Sequence, residues 1–195
     1  MAAAISADMQ NIDKVVTLVD EASRMGIPVS PPDVNQSEFK FRAVEGSIVY
    51  GLGAVRGIGE APVTAITTER TRGNFVDLQD FCNRVDVRRA NKKVIEALVR
   101  SGSMDGLASS NSGLDQIRAE LLTGIHESIQ GAEQSARDRS LGMHDMFGGI
   151  EAPAADIASR RVRAMDTKTR LDGEKETLGL YLTGHPMETM NRMVW

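Results

Sequence analysis

Two glycine-bearing turns contain the residues in this chain that are best suited to hold a phosphate. Each turn lies between apolar runs with helical spacing, and its glycines let the backbone reverse tightly and come close to a ligand. A helix that starts after such a turn points its free N–H groups and positive dipole end outward, which favours an anion. We therefore predict that backbone amides of these turns contact phosphates. The residues are Gly57, Ile58 and Gly59 in the first turn, and Ser101 and Gly102 in the second. Arg56 is expected to lie close to the phosphate of the first turn.

The side chain of Ile58 is expected to pack between the paired helices, so that only its amide serves the phosphate. Together, the two turns could grip neighbouring phosphates of a nucleic-acid backbone without reading its sequence.

A basic run lies between the two turns, although the whole chain carries a net charge of −4. Its bases are Arg84, Arg88, Arg89, Lys92, Lys93 and Arg100, opposed by Asp86 and Glu96. Lys92 and Lys93 are predicted to add point charges to a backbone contact. The alternative is that the run is only the solvated face of a helix.

Composition limits the other classes of function. The chain has 195 residues, of which 41% are hydrophobic and 4% aromatic, so its core must be mostly aliphatic. The single cysteine, Cys82, excludes an internal disulfide and a multi-cysteine zinc site. No apolar stretch approaches the ~20 residues that span a bilayer, and the first residues do not form a signal peptide. We expect no metal, no cofactor, no membrane contact and a cytoplasmic location.

Hydrophobic periodicity predicts a mainly α-helical chain. Helices are expected at residues 11–25, 51–56, 60–70, 78–85, 92–100 and 112–139. Asp77, Asn91 and the capping-box pattern Ser112–Asp115 mark three of their starts. A short two-stranded element is expected around Glu45-Gly46. The predicted fold is thus a tandem helix-hairpin-helix bundle with this small element near its N-terminus.

The last third of the chain has a different composition. Residues 141–171 are rich in glycine, alanine and arginine without a steady period, which predicts a flexible linker. A short amphipathic helix is expected at Glu174–Leu182, ended by Thr183–Pro186. Glu174 and Glu176 lie two positions apart and do not share a helix face, and His185 precedes a proline. We therefore assign no catalytic residue.

An apolar island interrupts the predicted linker. It consists of Met143, His144, Asp145, Met146 and Phe147. It could be a stray patch that folds back on the long helix. The alternative is a short linear motif whose apolar side chains anchor it in a groove of a partner.

Long stretches of the chain, in order, resemble the alpha subunit of bacterial DNA polymerase III. The matching segments are Arg24–Ile27, Pro31–Asn35, Tyr50–Glu60, Phe75–Arg84, Asn91–Gly102 and Glu174–Pro186. In that family, residues 1–49 would be the end of the fingers region and 50–140 the tandem helix-hairpin-helix module that contacts duplex DNA. Residues 141–172 would be a linker with the motif for the beta sliding clamp, and 173–195 a short helix leading to a further domain.

The resemblance implies a role but no chemistry for this chain alone. The polymerase carboxylates of the family lie in the palm, before the part matched here, so we expect no polymerase activity. The implied partners are the DNA backbone, the beta sliding clamp, and the rest of the alpha chain with its holoenzyme. The clamp motif usually begins with Gln, whose amide Met143 lacks. Two other classes remain open: a stand-alone DNA-repair or recombination module, and an interaction scaffold whose hairpins only pack helices.

Overall fold

A computed structural model describes residues 1–108, 112–140 and 162–184 of the chain. The helices in these ranges are α1 (Ala2–Ala7), α2 (Ile12–Arg24), α3 (Glu60–Arg70), α4 (Leu78–Arg84), α5 (Lys92–Arg100), α6 (Leu114–Ser140) and α7 (Thr167–Leu178). Short 3-10 helices cover Leu52–Ala54 and Asp105–Leu107, and strands β1 (Val29–Ser30), β2 (Arg42–Val44) and β3 (Ser47–Val49) form one sheet. The predicted mainly helical fold is confirmed.

The sheet extends the predicted two-stranded element by one strand. β2 and β3 are antiparallel, with Ala43 opposite Ile48. Both residues of the turn between them have positive φ, 46° at Glu45 and 82° at Gly46, as a tight two-residue hairpin requires. β1 pairs with β3 in parallel. With only two residues, β1 is too short to show a strand period in the sequence.

One core cluster extends from α1 and α2 through the sheet to the later helices. Part of it lies between the helices that follow the first turn. α6 packs on α4 and α5, and α7 packs on α5 and α6. Phe81, Ile95, Leu98 and Ile125 are almost fully buried there. The buried side chains thus join α4, α5 and α6 in one bundle.

Side-chain caps begin most of the longer helices. Asp77 accepts a hydrogen bond from the Asp80 amide, and Asn91 accepts one from the Val94 amide. Both caps confirm the sequence prediction. α3 differs, because its N-cap is Gly59 and no side chain bonds to its first turn.

The predicted capping box of α6 is wrong at Asp115. The backbone of Gly113 accepts from the amides of Gln116 and Ile117. The Asp115 carboxylate instead accepts from Thr167 Oγ1 at 2.8 Å and Arg170 Nε at 2.6 Å. It therefore holds α7 against the start of α6.

The bounds of α7 also differ from the prediction. This helix begins at Thr167, inside the predicted linker, and ends at Leu178 with Gly179 in the left-handed conformation (φ 79°). Its buried face includes Arg170 and Glu174. Because this helix buries ion pairs instead of an apolar stripe, its sequence shows no hydrophobic period. The first turns of α7 are therefore absent from the sequence prediction.

None of the helices in the described ranges is long and apolar enough to cross a membrane. In the same ranges, no group of His, Cys, Asp and Glu side chains is arranged to hold a metal ion.

Candidate nucleic-acid interface

The first turn is an exposed bend on the protein surface. Arg56, Gly57 and Gly59 are exposed, whereas Ile58 is 5% exposed and belongs to the core cluster. Gly57 has a φ of 88°, and a side chain there would meet no atom within 4 Å. The turn thus has the left-handed backbone that favours glycine, and open space above it. The expectation that the Ile58 side chain packs inward agrees with its burial.

Hydrogen bonding divides the amides of this turn into occupied and open groups. The Arg56 N–H donates to the Thr177 carbonyl at 2.8 Å, and the Ile58 N–H donates to the Val55 carbonyl at 3.1 Å. The prediction that the Ile58 amide serves a phosphate is therefore wrong. Within the described residues, the amides of Gly57 and Gly59 have no acceptor. These two open donors remain for an anion.

The start of α3 adds to the same site. Its N-cap, Gly59, supplies no side chain, so the first-turn amides of Glu60 and Ala61 stay uncapped, and Pro62 has no N–H to satisfy. The positive end of the helix dipole points to this position. Glu60 is exposed beside it, and its carboxylate opposes an approaching phosphate. The geometry favours an anion, and the carboxylate of Glu60 reduces the affinity for it.

The second turn is closed. Ser101 and Gly102 are buried, and their amides donate to the carbonyls of Ala97 at 2.9 Å and Val99 at 3.0 Å. A side chain on Gly102 would come within 2.5 Å of Arg118 Nη2. The prediction that Ser101 and Gly102 present amides to a phosphate is therefore wrong, because both amides are used inside the fold and Arg118 covers the turn.

Arg118 occupies this turn as part of a buried ion network. It donates to Asp105 from Nε at 2.9 Å and from Nη2 at 2.8 Å, and from Nη1 to Glu174 at 2.8 Å. The Arg118 side chain is 2% exposed and that of Glu174 is 0% exposed. A guanidinium thus fills the second turn from within and ties it to α7.

The electrostatics of the network keep Arg118 charged. Burial acts to lower the pKa of its guanidinium, but the hydrogen bonds and charge of Asp105, with the charge of Glu174, outweigh burial and raise it. Burial raises the pKa of the Asp105 carboxyl, against the opposing effect of Arg118. The only signal of this site in the sequence is a charge at position 118 between the apolar positions of the long helix.

Two arginines of the basic run bond to other parts of the protein, and the other bases face solvent. Arg84 donates to the Gly73 carbonyl at 2.7 Å and to Asp80 at 3.1 Å, and Arg100 pairs with Glu176 at 2.8 Å. Arg84 is therefore held by the fold, whereas the ion pair of Arg100 is exposed.

Four bases around the start of α5 face solvent and form what we call the α5 basic patch: Arg88, Arg89, Lys92 and Lys93. Lys92 is 3.8 Å from Glu96, with 59% of its side chain exposed. Part of this patch, Arg88, also lines an open groove of about 730 Å³ between the loop after α4 and the end of α6. Arg88 and Arg89 are thus as exposed to a phosphate as Lys92 and Lys93. Their positive charge in the sequence is the signal that indicates them.

The predicted clamp motif, Met143–Phe147, lies outside the described residues. The domain bounds drawn at 141–172 and 173–195 likewise remain predictions, except that α7 crosses the boundary between them.

The chain is similar to known proteins in two comparisons. A model of the family described as the helix-hairpin-helix motif matches residues 26–114, which contain both turns. The matched range includes the exposed turn before α3.

The chain is also similar to alpha subunits of DNA polymerase III. DNA polymerase III subunit alpha of Pseudomonas fluorescens is 50% identical over 96% of this chain, and that of Pseudomonas aeruginosa is also 50% identical over 96%. The Escherichia coli K12 subunit is 41% identical over 96%. This chain covers 17% of the length of each Pseudomonas relative and 16% of the E. coli relative. The resemblance drawn from the sequence is confirmed: the chain is homologous to a segment of the bacterial DNA polymerase III alpha subunit.

Proposed function

We propose that this chain binds duplex DNA through the phosphate backbone, without reading base sequence, as part of a replicative polymerase alpha subunit. The observation that carries the proposal is the exposed, uncapped turn at Gly57–Gly59, with two open amides ahead of the α3 dipole. Of the two turns predicted to grip DNA, only the first is open. The α5 basic patch provides the second contact in place of the buried turn.

The first experiment tests the turn with a strain-matched pair of glycine variants. Gly57→Ala and Gly46→Ala both place a methyl group in open space at a similar positive φ, 88° and 82°. Only the first blocks the approach of a phosphate to the open amides. We expect Gly57→Ala to weaken binding of a fluorescent duplex about five- to tenfold, because it removes at most one charge-assisted hydrogen bond. Gly46→Ala should leave the affinity unchanged. Equal affinities of the two variants would contradict the assignment.

The second experiment tests the patch through salt dependence. Binding of duplex DNA by this chain should weaken with a log–log salt slope of about −0.9 per neutralised phosphate. The double change Lys92→Ala, Lys93→Ala should make that slope shallower by about one to two phosphate equivalents. Lys14→Ala with Lys40→Ala is the control, because these two exposed lysines lie outside the patch. If affinity and slope stay at the wild-type values in the patch variant, the lysines are not contacts.

We further propose that Met143–Phe147 tethers the chain to the beta sliding clamp. The support is the sequence of the motif alone, with Met146 and Phe147 as apolar anchors. Deleting these two residues should abolish capture by the clamp and leave duplex binding unchanged. Because the family motif begins with Gln, Met143→Gln should tighten clamp binding. Capture that survives the deletion would remove the motif from the account.

One observation favours a second candidate, an interaction scaffold in which hairpins only pack helices. The second turn does so here, since its amides and its surface are fully occupied. A wild-type chain with no salt-dependent affinity for duplex DNA would support the scaffold. A stand-alone repair module has no comparable support, because the similarity to the alpha subunits extends over 96% of the chain.

A further inference from the structure

The C-terminal end of α7 contacts the first turn directly. The last carbonyls of a helix have no intrahelical donor and must find partners elsewhere. In α7, the Thr177 carbonyl accepts from the Arg56 N–H at 2.8 Å, and the Leu178 carbonyl accepts from the Tyr50 hydroxyl at 3.3 Å. Arg56 immediately precedes Gly57, so α7 fixes the backbone next to the open amides.

The docking of α7 depends on contacts with the rest of the bundle. A helix of 12 residues is marginal by itself in water. Here the Glu174 carboxylate pairs with Arg118, and Arg170 pairs with Asp115 at 2.6 Å. Gly179 lies so close to α2 that a side chain there would come within 2.5 Å of Ile12 Cγ2. These contacts decide whether the Thr177 carbonyl stays in reach of Arg56.

We propose that α7 is a brace for the DNA-binding turn: its docking, set by Glu174 and Gly179, positions the Gly57 and Gly59 amides, although no residue of α7 touches DNA. This inference rests on the proposed backbone binding. It makes Glu174, Thr177 and Gly179 positioning residues for that site. Because α7 bonds to the first turn and to the guanidinium that fills the second, the ion network at the closed second turn also affects the position of the open first turn.

The test undocks α7 and follows two readouts in the whole chain. Gly179→Ala introduces the clash with Ile12, and Gly26→Ala is its control, because both glycines end a helix at similar positive φ (79° and 75°) and Gly26 has open space. Hydrogen exchange of the Arg56 amide reports the brace. The Ile58 amide, bonded within the turn to Val55, reports whether the turn itself still folds. Duplex affinity is measured on the same samples.

We expect Gly179→Ala to speed exchange at Arg56 but not at Ile58, and to weaken DNA binding about three- to tenfold. Gly26→Ala should change neither. Unchanged exchange at Arg56, or wild-type affinity in a variant whose Arg56 exchanges fast, overturns the brace and leaves the proposed function standing. A wild-type chain that does not bind duplex DNA overturns the proposed function, and the brace with it. If Gly179→Ala does not fold, Glu174→Gln weakens the same docking from the ion network, and the same outcomes decide.

Discussion

Two glutamates of α7 provide a matched test of how burial sets the strength of an ion pair. Glu174 and Glu176 both accept a hydrogen bond from an arginine Nη1 at 2.8 Å, the first from Arg118 and the second from Arg100. The side chains of the first pair are 0% and 2% exposed, whereas those of the second are 61% and 46% exposed. The distance and the two side-chain types are the same in both pairs, whereas burial differs, and Glu174 also accepts from the amides of Leu182 and Thr183.

The expected losses follow from this difference. Removing one partner of a buried pair leaves the other charge uncompensated, at a cost of about 3–5 kcal/mol. In Glu174→Ala, Arg118 still donates two hydrogen bonds to Asp105. The expected loss of unfolding free energy is therefore at the low end of this range, about 3 kcal/mol. The amides of Leu182 and Thr183 also lose the carboxylate they donate to, which adds about 1 kcal/mol. Glu176→Ala should cost about 0–0.5 kcal/mol.

Urea unfolding followed by circular dichroism measures both variants against the wild type. With a slope of about 2 kcal/mol per molar urea, Glu174→Ala should lower the midpoint by about 2 M and Glu176→Ala by at most about 0.25 M. Midpoints that agree within the error of the fit would refute the argument that the buried network holds α7 in place.

Three further outcomes can be checked on the same protein. Burial raises the pKa of the Cys82 thiol to about 12, and the residue is 3% exposed, so an alkylating reagent at pH 8 should modify it only as the chain unfolds; fast modification of the native protein would contradict this. Asn91→Ala removes the side-chain cap of α5 and should lower the free energy of unfolding by about 1 kcal/mol, measured by urea titration. Glu60→Gln removes the exposed carboxylate beside the open amides and should tighten duplex binding about two- to threefold at low salt, with a smaller gain at high salt. A weaker complex would place the phosphate away from α3.

Local features of the fold could be predicted from the sequence because a few neighbouring residues decide them. Asn91 caps the helix that follows it, and Glu45-Gly46 makes the hairpin turn, through bonds that span only a few positions. The sequence indicates the first turn for the same reason, since the backbone conformation of Gly57 is a local property. The outward exposure of this turn depends on packing, which the local sequence does not decide.

Tertiary packing decided which turn is open and where the chain returns after α6. Both turns carry glycine between apolar runs, but the amides of Ser101 and Gly102 donate to carbonyls of α5, and Arg118 covers this turn. That cover depends on Glu174, which lies far along the chain. Sequence periodicity reports which face of a helix is apolar; it cannot report that two distant charges meet in the interior, because their burial is favourable only when both are present in the fold.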